Sequence, residues 1–295
     1  MFDLRYHVAS LVAVFLALII GILVGVGISG KGFVSDSERS LLNERIADLK
    51  NRLDSATTRG NDLARQQRAA QTFVADVYPA VMNGRMLGRQ VGLVFAGPTD
   101  GRLQSLVEQS LGDAGGEAPA RIRALKLPID LPALRRALAR RPALAALATE
   151  KRVGDLGKRL GHDFVVGGDG PAWKSLSAQL VEEQSGNDGP PLDGVIIARS
   201  VPAQSGVTAR FLAGFYSGLA SAGIPAVGAE RLRAKDSAID AFSRQDLSTV
   251  DDLDTEAGRL ALVLLLSGAS SGSYGVKKSA HDGVLPAIPT SAAGG

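Results

Sequence analysis

Val91-Gly92-Leu93-Val94-Phe95-Ala96 is the stretch that decides the fold. Six uncharged residues, several of them β-branched or aromatic and closed by the turn pair Gly97-Pro98, read as a strand buried on both faces. Asp100 to Leu111 then has helical character. Outward from this pair the pattern repeats. Arg121 to Leu127 is a second strand candidate, stopped by Pro128. Leu131 to Leu160 is helical in parts, with Pro142 interrupting it. Asp163-Phe164-Val165-Val166 is short and ambiguous. Pro171 to Gln184 reads as a helix with proline in its first turn. Gly194-Val195-Ile196-Ile197-Ala198 is the most strand-like segment, Val207 to Ala222 another helix, and Ile224 to Gly228 another strand. Leu260 to Leu266 is apolar throughout but too short to cross a membrane, and reads as a buried helix end. Strands alternating with helices predict an α/β domain over residues 85–278, with a mostly parallel sheet and helices on both faces. The tail, 279–295, carries Pro, Ala and Gly and is expected to be flexible.

The N-terminus follows different physics. Leu11 to Ile28 runs through 18 residues that are all apolar or glycine, and from Val8 the run is 21 residues, broken only by Ser10. At 1.5 Å per residue that is about 31 Å, one bilayer core. The expectation is a transmembrane anchor within residues 1–30, the lipid bilayer being its partner. A signal peptide is the alternative, since Gly27-Ile28-Ser29 is small-x-small, but signal cores are shorter. Arg5 before the span and Lys31 and Arg39 after it do not settle orientation. Gly21 and Gly25 form a small-xxx-small pair, a dimerisation signal in membrane helices.

Between anchor and domain, residues 31–80 carry a 3.5-residue repeat: Leu42, Ile46, Leu49, Leu53, Ala56, Gly60, Leu63, Gln67, Ala70, Val74, Val77. Five heptads of this kind mark a coiled-coil stalk. Asp48/Arg52 and Lys50/Asp54 are opposite charges at i,i+4. Ser35, Asp36 and Ser37 are N-cap candidates, and Pro79 limits the far end. Ala56, Gly60 and Gln67 weaken the middle of the seam. A parallel homodimer, or a higher homo-oligomer, is the expectation, with Gly21, Gly25, Leu42, Ile46, Leu49, Leu53, Leu63 and Val74 as the dimerisation residues. A single amphipathic helix folded back on the next domain is the alternative.

Composition excludes several functions. There is no cysteine, so disulfides, Cys-based zinc sites, iron–sulfur clusters and a Cys nucleophile are ruled out. Net charge is +3 and aromatics are 5%, which supplies poor stacking platforms for bases, and no nucleic-acid partner is expected. The motifs that could carry catalysis are weak. Gly25-Val26-Gly27-Ile28-Ser29-Gly30 has the spacing of a dinucleotide loop but follows a membrane helix instead of a strand. Gly268-Ala269-Ser270-Ser271-Gly272 has the spacing of a nucleophile elbow, but a helical run precedes it, and its downstream His281 adjoins Asp282. Gly167-Gly168-Asp169-Gly170 could cradle an anion but reads as an ordinary turn. Asp246, Asp251, Asp252, Asp254 and Glu256 could attract a hard cation, with helix capping as the plainer reading. Met82 and Met86, at i,i+4, are weak candidates for a copper pair among the soft ligands; core packing is the plainer reading. No catalytic residue, no cofactor and no enzyme activity are expected.

Both ends of the chain resemble the actinobacterial copper-transport (outer membrane) protein family MctB. The resemblance rests on the opening Met1-Phe2-Asp3-Leu4-Arg5-Tyr6-His7-Val8-Ala9-Ser10-Leu11 and the closing Ser248-Thr249-Val250-Asp251-Asp252-Leu253-Asp254-Thr255-Glu256-Ala257-Gly258-Arg259, with Gly272-Ser273-Tyr274-Gly275-Val276-Lys277 and Leu285-Pro286. It implies a single-pass envelope protein with an extracytoplasmic C-terminal domain, in copper efflux or homeostasis, as part of an oligomeric channel or assembly with copper as the transported ion. A non-catalytic dimeric scaffold that presents the α/β domain to an envelope protein partner or ligand is the alternative.

Overall fold

The computed structural model describes residues 4–29, 36–167 and 170–288. Of the residues singled out above, Met1, Phe2, Asp3, Gly30, Lys31, Ser35, Gly168, Asp169 and the tail from 289 lie outside them. The chain divides into two compact units, Met1–Ala69 and Ala70–Gly295.

The first unit contains helix α1 (Leu4–Ser29) and most of α2 (Asp36–Met82). Within α1, His7–Gly27 is long and apolar enough to cross a membrane, and none of it is buried by protein. A helix that is apolar all round and exposed all round has lipid as its natural surroundings. Along α2, Asp48 and Arg52 pair at 2.9 Å, as their i,i+4 spacing suggests, and Arg65 reaches Asp62. Pro79 does not end this helix, which continues to Met82. A proline lacks only its own N–H donor, so the following turn can still close, here through Asn83 N–H to the Pro79 carbonyl at 3.1 Å.

The second unit takes in the end of α2 and then runs β1 (Val91–Ala96), α3 (Gly101–Asp113), β2 (Arg121–Leu125), α4 (Leu131–Ala137), α5 (Pro142–Ala145), α6 (Val153–Val166), α7 (Pro171–Leu180), β3 (Val181–Gly186), β4 (Gly194–Arg199), α8 (Gly206–Ala220), β5 (Ala226–Ala229), α9 (Ile239–Ser243), β6 (Ser248–Val250), α10 (Glu256–Leu266) and β7 (Ser273–Tyr274). The sheet order is β3-β2-β1-β4-β5-β6-β7. Every neighbouring pair is parallel except β2 with β3. The chain therefore winds outward from β1 in both directions, as in doubly wound nucleotide-binding folds.

The pleat sorts the core into two layers. Val94, Ala96, Val195 and Ile197 join the side chains of α4, α6, α7 and α8 on one face. Leu93, Phe95, Ile196 and Ala198 join α3, α10 and the end of α2 on the other. Successive residues of β1 and β4 thus face opposite layers, which is why both strands are apolar without interruption. On the first face α6 and α8 come so close that a Cβ on Gly157, Gly161, Gly214 or Gly218 would stand 1.9–2.2 Å from a backbone oxygen of the other helix.

Within the α/β domain the secondary structure also departs from the sequence reading. The helix expected to reach Gln184 stops at Leu180, and Val181–Gly186 turns into the antiparallel edge strand β3. Its residues beyond Val181 are exposed and carry no apolar alternation, so the backbone ladder to β2 decides it. The ambiguous Asp163–Val166 is the last turn of α6. Strands β6 and β7 have three and two residues, too few to show a period.

The start of the expected tail is held in place. Ser279 Oγ lies 3.3 Å from the Asp251 carboxylate, the Asp282 carboxylate accepts the Ser273 N–H at 2.8 Å, and Leu285 packs against the second core layer.

Candidate functional site

In a parallel sheet the loops after the strands gather at the carboxyl edge, where ligands of such folds usually sit. Here that edge concentrates buried charge. After β5, Glu230 is almost fully buried and accepts hydrogen bonds from Ser237 Oγ and the Ala238 N–H, both at 2.8 Å. Lys277, after β7, brings Nζ to 2.5 Å from the same carboxylate and to 3.0 Å from the Arg231 carbonyl. After β6, Asp251 accepts the N–H groups of Val276 at 2.9 Å and Lys277 at 3.2 Å. Gly275 lets this happen. Its φ is +138°, and a Cβ there would lie 2.0 Å from the Asp251 carboxylate.

Asp252 is also fully buried. Its Oδ2 accepts the Thr255 hydroxyl at 2.9 Å, and Thr255 in turn caps α10 by accepting the Gly258 N–H. Its Oδ1 has no hydrogen-bond partner. Burial, with the nearby charges of Asp251 and Asp254, pushes the carboxyl up to about 6 against the opposing Thr255 hydrogen bond. Asp254 accepts the Leu232 N–H at 2.7 Å. Asp100 caps α3 and pairs with Arg231 at 3.2 Å.

The acidic cluster is therefore divided among separate tasks. Asp246 occupies a left-handed turn (φ 60°) before β6, Glu256 opens α10, Asp251 and Asp254 tie different loops, and Asp252 bonds Thr255 within its own. Among the described residues no group of three or more His, Asp or Glu is placed to hold a metal ion.

The crevice between β1 and β4, where doubly wound folds commonly bind dinucleotides, is filled. Ser200 Oγ donates to the Pro98 carbonyl at 2.5 Å, and the Val201 side chain would lie 2.6 Å from a Cβ on Gly97. The Gly268–Gly272 motif is a loop between α10 and β7. No strand leads into Ser270, and its carbonyl accepts the Tyr274 hydroxyl at 3.1 Å. Gly167 and Gly170 cap α6 and α7.

Met82 and Met86 are both buried in the apolar layer with Tyr78, Val91 and Leu111. The expected dimerisation residues stand differently. Leu42, Ile46, Leu49, Leu53 and Leu63 are 53–66% exposed, Val74 is half-buried, and nothing lies within 4 Å of a Cβ built on Gly21 or Gly25.

Sequence spacing did not reveal two features. Glu230 and Lys277 are 47 residues apart and meet only because β5, β6 and β7 are neighbours. Arg121, fully buried on β2, donates to the carbonyls of Asn187 at 3.2 Å, Asp188 at 2.8 Å and Pro190 at 2.9 Å, and also to that of Phe164. A charged residue in a strand pattern was the available signal.

These elements define a class: a helix able to span a membrane, a long helix with an exposed apolar seam, and a doubly wound α/β domain whose carboxyl edge is tied by the buried Glu230–Lys277 pair and the buried Asp251 and Asp252 carboxylates. Residues 1–285 match the family described as copper transport outer membrane protein, MctB, and the chain belongs to that family. It is 27% identical over 312 residues to proteins named copper transporter MctB from Mycobacterium tuberculosis and Mycobacterium bovis, covering 93% of this chain and 96% of each relative.

Proposed function

We propose that this protein is a membrane-tethered homodimer that takes part in copper transport across the cell envelope, with α1 as its anchor and the α/β domain on the extracytoplasmic side. The observation that carries the copper role is the match to copper transporters along nearly the full length of both chains. A single helix encloses no pore, so conduction requires several copies or a further envelope protein. The exposed leucine and isoleucine seam of α2 supports pairing of copies. Burying five such side chains from each of two helices yields on the order of 15 kcal/mol at about 1.5 kcal/mol each, comparable to the 4–15 kcal/mol that association costs.

The test is cellular copper content in a strain lacking the protein, complemented with the full chain or with a chain whose seam carries Leu49→Asp and Leu53→Asp. The reading expects copper to accumulate without the protein and to fall with the full chain but not with the seam variant. Unchanged copper in the deletion strain refutes the transport role. A reporter fused after Gly295 reads the topology, and cytoplasmic reporter activity refutes the extracytoplasmic placement.

A further inference from the structure

At the carboxyl end of β4, between α8 and α9, lies a cavity of about 370 Å³. That volume is at the lower end of the range for small-molecule pockets, and the position is the one from which α/β sheets bind ligands. The switch-point crevice beside it is closed by Val201 and Ser200, so this opening is what remains of the usual site. One part of its wall is apolar: Ala203, Ala209, Leu212, Ala213 and Ala241. The other part carries Arg199, Arg244 and Asp240, whose formal charges sum to +1.

Three polar side chains on that wall are only partly used by the protein. Arg199 donates through Nη2 to the carbonyls of Ser237 at 2.9 Å and Asp236 at 3.3 Å, which holds its guanidinium charge at the wall; its Nε is buried without a partner and out of a ligand's reach. Tyr216 is almost fully buried, with its ring edge-on to Phe242 at 5.1 Å, and its residue forms part of the cavity lining. Burial raises the Tyr216 hydroxyl well above the ordinary tyrosine value, against the pull of the Arg199 charge, so it stays protonated and can donate. Arg244 commits only Nε, to the Asp240 carbonyl at 2.8 Å. These are donors, arranged around one net positive charge beside an apolar wall.

We propose that this cavity binds a small organic monoanion, a carboxylate with a short apolar body, with Arg199, Arg244 and Tyr216 on the carboxylate and Leu212 and the alanines on the chain. No methionine or histidine lines the cavity, so copper has no soft ligand there. The second, more open cavity, near Asp130, Arg135, Glu150 and Lys151, balances its charges internally and offers no comparable excess.

The full chain in lipid nanodiscs is titrated calorimetrically with acetate, butanoate and inorganic phosphate. Butanoate is expected to bind about tenfold tighter than acetate, from two added methylenes on the apolar wall. Tyr216→Phe, which keeps the ring, and Arg244→Gln, at an exposed position, are each expected to weaken butanoate binding about tenfold. Arg199→Gln also loosens the loop at Asp236, so the first two variants carry the decision. Phosphate binding more tightly than butanoate, acetate matching butanoate, no binding of any of the three, or butanoate binding untouched by Tyr216→Phe and Arg244→Gln overturns the proposal.

Discussion

Replacing Gly161 or Gly218 by alanine sets two effects of opposite sign against each other. Both residues are helical, and on propensity alone alanine stabilises a helix interior by about 1 kcal/mol relative to glycine. The packing says otherwise. A Cβ on Gly161 would stand 2.2 Å from the Phe215 carbonyl oxygen and 3.0 Å from the Leu219 nitrogen; one on Gly218 would stand 2.1 Å from the Lys158 oxygen and 3.0 Å from the His162 nitrogen. A carbon rests against a carbonyl oxygen at about 3.3 Å or more, so the helix pair must open by about 1 Å. These obstacles are backbone and cannot rotate away. Overpacking of this kind costs about 1–3 kcal/mol, and the opened interface forfeits dispersion contacts along its length. The net expectation is a loss of about 2 kcal/mol or more.

Gly112, in α3 with nothing within 4 Å of a built Cβ, is the control, and Gly112→Ala should gain up to about 1 kcal/mol. The readout is urea unfolding of the full chain in detergent, followed by Trp173 fluorescence. The sole tryptophan is buried on this face, 6.3 Å from Phe164 and 6.2 Å from Phe215. With a slope of about 2 kcal/mol/M, the midpoint should drop by about 1 M. If both variants unfold at or above the wild-type midpoint, the close approach of α6 and α8 is wrong.

Asp252 gives a pH dependence. The folded chain holds its proton up to about pH 6 and the unfolded chain only to about 3.8, so stability is lost as pH rises through that window. Asp252→Asn lacks the effect and should gain about 2–3 kcal/mol over wild type between pH 4 and pH 7; a difference that stays flat with pH refutes the buried carboxyl. Arg121→Met leaves the buried Phe164 carbonyl without its donor and frees the part-buried carbonyls of Asn187, Asp188 and Pro190; it should cost about 2–3 kcal/mol in the same urea assay, and a loss below 1 kcal/mol would show that the arginine is dispensable. Met82→Leu with Met86→Leu conserves volume in the apolar layer and should cost less than about 1.5 kcal/mol, with copper binding by the chain unchanged; lost binding would place the metal there. Leu53→Asp should halve the particle mass measured by light scattering in detergent, and an unchanged mass removes the seam from the interface.

The sequence by itself determined whatever rests on local periodicity. The all-apolar run of α1, the helical repeat along α2 and the uninterrupted apolar strands β1 and β4 could be read because each pattern repeats within one element. The β1 bounds agree residue for residue, since Gly97-Pro98 ends the strand by local chemistry. Only the tertiary structure decided the rest. Val181–Gly186 is a strand because β2 offers it a backbone ladder, not because its side chains prefer one. The Gly21/Gly25 pair stood out in the sequence, yet the glycines that hold two described helices together are those of α6 and α8, which register against each other only after β4 has threaded beside β1. Glu230 and Lys277, and Arg199 and Tyr216, meet by the same route. Contacts between distant segments depend on strand order, and strand order is a property of the whole packed sheet, which no window of sequence contains.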